Sequence, residues 1–153
     1  MKINFKSLII NILVPVLLGA LVGFLSGSSN GYEDMIQPSF APPGIVFPIV
    51  WTILYTLMGI SSYLIYQTND SSKDKALFIY YLQLAVNLLW SFIFFNFRLY
   101  FLAFLWIILL IVLVVMMIMR FLPISKIAGY LQIPYLLWIS FAAVLNFSIY
   151  LLN

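Results

Sequence analysis

The side chains of this chain that could do chemistry are aromatic rings and carboxamides placed inside long apolar stretches. Phe47, Trp51 and Tyr55 follow one another at intervals of four residues, so a helix would stack them along one face. Gln83 and Asn87 share that spacing in a later stretch. An apolar, aromatic cavity with a few convergent amides is the usual composition of a small-molecule site.

The carboxamides leave two alternatives open. An amide in an apolar stretch is costly unless it finds a partner, so Gln83, Asn87 and Asn146 are predicted to face the protein interior. They could staple helices together, each pairing contributing about 1 kcal/mol. They could equally line a cavity together with the aromatic faces. A position in the interfacial aromatic belt is a further explanation for the tryptophans, and it is weaker for Trp138, which lies near the middle of its stretch.

The ionisable residues exclude several functions. The chain has no cysteine and no histidine, and its four acidic residues lie between the apolar stretches. Proton-coupled or ion-coupled transport and catalysis by paired carboxylates need ionisable groups at depth, so neither is expected. No metal and no cofactor are expected. The net charge of +3 is too small and too scattered to indicate a nucleic-acid partner.

The composition indicates that the lipid bilayer is the solvent for most of the surface. The 153 residues are 65% hydrophobic and 7% charged, whereas soluble domains carry about 25% charged residues. Five apolar stretches are each near or above the ~18 residues that cross a hydrocarbon core, and helices satisfy their own backbone there. The predicted fold is an all-α membrane protein, a five-transmembrane-helix bundle forming one domain over 1–153. The predicted spans are 8–25, 44–66, 76–97, 99–119 and 127–152.

The basic residues predict an orientation. Six of the seven Lys and Arg residues lie at the N-terminus or in the second and fourth connections, and Arg98 lies in the third. The positive-inside rule then puts the N-terminus in the cytoplasm and the C-terminus outside. The first span is longer than the apolar part of a typical signal peptide, so it is expected to be retained.

Two further segments carry structural expectations. The connection over 27–43 is the longest, and its prolines restrict the backbone, so it is predicted to hold a shape over one end of the bundle. In the first span, Gly19 and Gly23 form a Gly-x-x-x-Gly face that lets another backbone approach closely. That face is expected to pack inside the monomer or to form a dimer seam, and not to belong to a ligand site.

Three separated motifs carry a family resemblance. PSFAPPGIVFPIVWTILYTLMG, LQLAVNLLWSFIFF and PYLLWISFAAVLN occur in this order in a chain with five predicted spans. Over essentially the whole chain they resemble the tryptophan-rich sensory protein family, also called the translocator protein or peripheral benzodiazepine receptor family. The resemblance implies an often dimeric five-helix bundle, here expected as a homodimer in a bacterial cytoplasmic membrane. It also implies a pocket beneath the first loop for porphyrin or haem-type ligands and synthetic isoquinoline-type drugs.

The resemblance also implies which residues form the pocket and what they do. Binding of tetrapyrroles is the first function implied, with light-dependent degradation of the bound porphyrin as an uncertain enzymatic activity. In that activity Trp51 and Trp138 would be oxidised or would pass electrons. The alternatives are a passive tetrapyrrole or lipid transporter and a ligand-responsive stress-sensing scaffold. The implied ligand-binding residues are Tyr32, Pro42, Phe47, Trp51, Tyr55, Asn87, Trp90, Trp138, Ala142 and Leu145.

The chain departs from the family pattern in the first loop and at the last residues. The family often has Trp before the loop tyrosine and Lys before the first loop proline, where this chain has Gly31 and Gln37. Phe40 stands where another aromatic residue, often Trp, is common. Without the lysine, a grip on a porphyrin carboxylate by the loop is less expected. No basic residue follows Tyr150, so the sterol site of animal members is not predicted.

Overall fold

Five apolar helices long enough to cross a membrane form the architecture, in a computed structural model that describes residues 2–153 except for the Ser29 side chain. No strand occurs within that described part. The predicted all-α, five-span class is confirmed, and each span begins and ends within three residues of its predicted bounds. The helices are α1 (Phe5–Ser26), α2 (Ser28–Gly31), α3 (Val46–Tyr66), α4 (Lys73–Ser91), α5 (Tyr100–Phe121), α6 (Lys126–Tyr130) and α7 (Ile133–Leu152).

The helix ends follow local sequence signals. Asn4 Oδ1 accepts a hydrogen bond from the Ser7 amide at 3.2 Å and so caps the N-terminus of α1. Gly27, with a φ of 68°, caps its C-terminus. The helix α3 begins at Val46, two residues after the start of the predicted span at residue 44. Pro48 therefore lies in the first turn of α3, where no backbone N–H is needed for an intrahelical bond.

A π-helical segment and a tight turn join α4 to α5. The helix α4 continues as a π-helix over Phe92–Asn96, where the Phe97 amide donates to the Phe92 carbonyl at 3.0 Å. Arg98 then adopts a left-handed backbone with a φ of 52°, which is uncommon for a residue with a side chain. This conformation reverses the chain within the few residues available before Tyr100.

The backbones of helices α1 and α3 come into close contact at Gly59. A Cβ atom added to Gly59 would collide with the Ile12 Cα and with the Asn11 carbonyl of α1. About one turn earlier along α3, a Cβ atom added to Gly19 of α1 would collide with the Tyr55 ring. The glycine face of α1 therefore packs inside the molecule, and the glycine that admits a neighbouring backbone belongs to α3.

Substitution of Gly59 by alanine is expected to lower the free energy of unfolding by about 1–3 kcal/mol, because the added methyl group forces two backbones apart. Thermal unfolding of the purified protein in detergent measures the loss. Gly23→Ala is the matched control, because its Cβ would meet only the Ser28 Oγ at an ordinary 3.6 Å. Equal melting temperatures for the two variants would contradict this description of the α1–α3 interface.

The two ends of the bundle differ in charge. The end that carries the N-terminus and the α3–α4 and α5–α6 connections has six basic and two acidic side chains, a net charge of +4. We call it the basic end. The opposite end, which we call the loop end, carries Arg98, Glu33 and Asp34, a net charge of −1, and the two ends together give +3.

Candidate ligand-binding site

A cavity of about 590 Å³ lies between α1, α3, α4 and α7, on the loop-end side of the bundle. Three of the four tryptophans line it, and each comes from a different helix. The helices α3 and α7 meet across this space chiefly through aromatic side chains. The Phe47 and Trp138 rings lie 5.8 Å apart between centroids, and Trp51 and Tyr135 lie 6.2 Å apart, both edge to face.

Nine of the ten residues that the resemblance implies for the pocket line this cavity. The tenth, Pro42, is outside the wall, and its carbonyl accepts a hydrogen bond from the Tyr32 hydroxyl at 2.8 Å. Pro42 therefore holds a wall residue in place and is not itself part of the wall. The nine residues in the wall are Tyr32, Phe47, Trp51, Tyr55, Asn87, Trp90, Trp138, Ala142 and Leu145.

Trp51 forms one of the stacked aromatic pairs of the wall. Its indole stacks on the Tyr55 ring with centroids 5.3 Å apart and planes inclined by 28°. The one-turn spacing of the two residues on α3 creates this pair, and Phe47 continues the same face toward the loop end. Stacked aromatic pairs of this kind add about 0.5–1.5 kcal/mol to the burial of their surface.

A chain of buried hydrogen bonds, which we call the polar chain, lies behind the aromatic wall. The Tyr55 hydroxyl donates to Asn87 Oδ1 at 2.6 Å, and Asn87 Nδ2 donates to the Tyr135 hydroxyl at 2.8 Å. The Tyr135 hydroxyl then donates to Gln83 Oε1 at 2.7 Å. The polar chain ties α3, α4 and α7 together, so Asn87 is both a staple between helices and a cavity residue.

A second amide staple fixes the edge of Trp90. Trp90 Nε1 donates to Asn146 Oδ1 at 3.1 Å, and Asn146 Nδ2 donates to the Tyr100 carbonyl at 2.8 Å. The Trp90 ring also stacks on Phe94 at a centroid distance of 4.8 Å. Because the Trp90 N–H already donates to Asn146, Trp90 would contact a ligand through its ring and not through a hydrogen bond.

The indole N–H groups of Trp138 and Trp106 are in different environments. Trp138 Nε1 is buried and has no hydrogen-bond partner among the described residues. Trp106, the tryptophan outside the cavity, donates its N–H to the Val86 carbonyl at 2.7 Å. Trp106 therefore has a structural role between α4 and α5, and it offers a control for the three cavity tryptophans.

The first loop is held over the cavity by several polar contacts. Tyr32 packs edge to face on Phe47, with centroids 4.7 Å apart, and its carbonyl accepts a hydrogen bond from Gln37 Nε2 at 2.8 Å. The Asn153 side chain accepts from the Ile36 amide at 3.2 Å and donates to the Ile36 carbonyl at 2.9 Å. These bonds order the loop against α3 and the end of α7.

The cavity reaches the molecular surface sideways, between α1 and α3. Phe24 of α1 lines the cavity and is 82% exposed, and Ile45, just before α3, lines it and is 68% exposed. Pro48 and Thr52 on the same side of α3 are also exposed wall residues. Since α1 and α3 cross the membrane, this lateral opening faces the bilayer.

Sequence reasoning missed one wall of the cavity. Gly19 and Gly23 of α1 line it, whereas the sequence predicts that their face does not belong to a ligand site. The small side chains create space there, and the Gly-x-x-x-Gly pattern alone does not tell a packing seam from a cavity wall. Ile107 and Leu110 of α5 form the floor, and no signal in an apolar stretch would have singled them out.

The wall of the cavity is mostly apolar and aromatic. Glu33 is the only charged side chain among the described residues that line it. No group of three or more His, Cys, Asp or Glu residues in residues 2–153 could hold a metal ion. The arrangement can bind a flat apolar molecule through ring faces, and it offers few polar groups for its substituents.

The fold and this cavity define a class, a five-helix integral membrane protein with an aromatic internal site. The TspO/MBR family matches residues 11–152, and the chain belongs to this family. It is 36% identical to the tryptophan-rich protein TspO of Chlorobaculum tepidum, over 78% of this chain and 77% of that protein. It is 34% identical to the tryptophan-rich sensory protein of Cereibacter sphaeroides (76% and 74% covered). It is 33% identical to the human translocator protein (74% and 69% covered).

Proposed function

We propose that this protein binds tetrapyrroles of the porphyrin or haem type, and isoquinoline-type drugs, in the aromatic cavity. The observation that carries the proposal is the convergence of Trp51, Trp90 and Trp138 from three helices on one cavity. A volume of about 590 Å³ lies within the range of roughly 300–1,000 Å³ that is common for small-molecule sites. A flat macrocycle suits a wall of ring faces with few polar groups.

An absorbance titration tests this function. Protoporphyrin added to the purified protein in detergent is expected to shift its main absorption band and to saturate at one ligand per chain. An isoquinoline carboxamide drug is expected to reverse the shift, because both ligands would use the same wall. A spectral change that does not saturate, or that the drug leaves unaffected, would contradict a shared internal site.

A second function, passive exchange of tetrapyrroles or lipids with the bilayer, is favoured by the lateral opening between α1 and α3. The names of two relatives, a translocator protein and a tryptophan-rich sensory protein, are consistent with either movement or sensing of a ligand. Uptake of porphyrin into proteoliposomes in the dark separates exchange from binding alone. Equal uptake by liposomes with and without the protein would argue against exchange.

Light-dependent degradation of a bound porphyrin is a further part of the proposal. The excited porphyrin would transfer its energy to dioxygen, and the reactive oxygen formed would oxidise the porphyrin ring. Trp51 and Trp138, next to that ring, would be oxidised themselves or would pass electrons to it. Illumination of the complex in air is expected to yield a defined product, at a lower rate in Trp51→Phe and Trp138→Phe. Unchanged rates and products in both variants would rule out the indoles as participants.

The proposed setting is a bacterial cytoplasmic membrane with the N-terminus inside. The net charge of +4 at the basic end supports this orientation, because basic connections stay on the cytoplasmic side. The chain has no cysteine, so a cysteine introduced at Ser71 can be labelled selectively. Labelling of intact cells by a membrane-impermeant reagent at that position would contradict the orientation. A homodimer stays a prediction.

A further inference from the structure

The charge of the cavity wall distinguishes this site from one built for anionic ligands. Glu33 is the only charged side chain among the described wall residues, and no Lys or Arg accompanies it. Gln37, which precedes the first loop proline, donates a hydrogen bond from Nε2 to the Tyr32 carbonyl. The loop therefore presents one carboxylate to the mouth of the cavity and no cation.

The Glu33 carboxylate lies next to Gly44, just before α3. A Cβ atom added to Gly44 would lie 2.6 Å from Glu33 Oε1, so the absence of a side chain at Gly44 makes room for the carboxylate. Both residues line the cavity together with Phe47 of the first turn of α3. A carboxylate near the start of a helix also stabilises that helix, which gives Glu33 a purely structural alternative role.

The other charges of the loop end do not offset Glu33 within the wall. Asp34 and Arg98 are exposed and line no part of the cavity. Burial raises the pKa of the Tyr32 hydroxyl, and the nearby negative charge of Glu33 raises it further, so the carboxylate acts on a residue of the wall. A ligand at the loop end of the cavity would therefore meet a net negative charge.

We infer that Glu33 makes this site select neutral or cationic tetrapyrroles over dicarboxylate porphyrins of the same size. The inference rests on the proposed tetrapyrrole-binding function. The propionates of a dicarboxylate porphyrin must stay hydrated, so they would point toward the loop end, where the Glu33 side chain lines the cavity and is itself exposed to water. This orientation brings them close to Glu33, and two like charges a few ångströms apart repel at the protein surface. Ester groups in the same place would not be repelled, and ammonium groups would be attracted.

The experiment compares three porphyrins on four proteins. The ligands are protoporphyrin, its dimethyl ester and its diamide with two ammonium-bearing arms, titrated at ~20 mM and ~500 mM salt, where screening differs strongly. The proteins are the wild type, Glu33→Gln, Glu33→Lys and the control Asp34→Asn, which removes an identical charge outside the cavity wall. For each ligand the variant is compared with the wild type, so differences in detergent partitioning cancel.

At low salt, Glu33→Gln is expected to strengthen protoporphyrin binding by about threefold to tenfold and to weaken binding of the ammonium ligand by a similar factor. Binding of the dimethyl ester is expected to change by less than twofold. Glu33→Lys is expected to enlarge both changes, and ~500 mM salt is expected to reduce them. The control Asp34→Asn is expected to leave all three affinities unchanged.

Equal changes for all three ligands in Glu33→Gln would overturn the inference, because they would indicate that Glu33 only orders the loop. No change for any ligand would overturn it as well. If none of the three porphyrins binds the wild type, the proposed tetrapyrrole function fails. If all three bind with affinities that are independent of Glu33, only the charge selection fails.

Discussion

Replacement of Trp51 by alanine is expected to weaken porphyrin binding by about tenfold to a hundredfold. The indole lies flat on Tyr55 and contacts Tyr135 with its edge, so it forms a continuous ring surface in the cavity wall. Its removal takes away both the stacking and much of the apolar area that a macrocycle would cover, together about 1.4–2.7 kcal/mol of binding free energy. The dissociation constant from an absorbance titration measures the effect.

Trp106→Ala is the matched control for this result. It removes an indole of the same size, but from outside the cavity, where the N–H donates to the Val86 carbonyl. We expect Trp106→Ala to lower the melting temperature and to leave the porphyrin dissociation constant within about twofold of the wild type. Similar losses of affinity in the two variants would mean that Trp51 acts through folding and not through contact with the ligand.

Asn87→Leu is expected to destabilise the protein by about 1–3 kcal/mol. The amide accepts from the Tyr55 hydroxyl and donates to the Tyr135 hydroxyl, and all three residues are buried. Leucine has a similar volume but can do neither, so the Tyr55 hydroxyl loses its acceptor and the Tyr135 hydroxyl loses a donor. The lower limit of this expected loss in stability reflects the modest average contribution of hydrogen bonds between helices in membranes.

Thermal unfolding in detergent measures this loss, and Asn96→Leu is the control. Asn96 is an exposed asparagine at the end of the π-helix, so the same substitution there removes no buried partner. Adding Tyr55→Phe to Asn87→Leu removes the orphaned hydroxyl and is expected to restore part of the stability. A melting temperature for Asn87→Leu equal to that of Asn96→Leu would contradict a stabilising role of the polar chain.

The parts of the fold that depend on one helix at a time could be predicted from the sequence. A long apolar stretch must cross the bilayer as a helix, which is why five spans were recognised within three residues of their bounds. The four-residue spacing of Phe47, Trp51 and Tyr55 similarly brings them to one face, and all three line the cavity. Asn87 faces the interior, as predicted from the cost of leaving an amide without a hydrogen-bond partner in an apolar surrounding.

The parts that depend on how two helices meet could not be predicted in this way. The sequence left staple and cavity as alternatives for Asn87, whereas in the folded chain its edge bonds to two tyrosines and the residue also lines the wall. For the glycine face of α1 the sequence leaves packing inside the monomer and a dimer seam as alternatives, because nothing in α1 reports the shape of α3. Gly59, where the α3 backbone lies against that of α1, belongs to no glycine spacing pattern that would have marked it.

The lateral opening between α1 and α3 changes what an affinity means for this protein. A ligand that arrives sideways is drawn from the pool dissolved in the lipid, and an apolar macrocycle is far more concentrated there than in water. The apparent dissociation constant should then scale with the amount of lipid or detergent in the sample. Mole fraction in the membrane, and not molarity in the buffer, becomes the natural unit in which to compare ligands of different polarity.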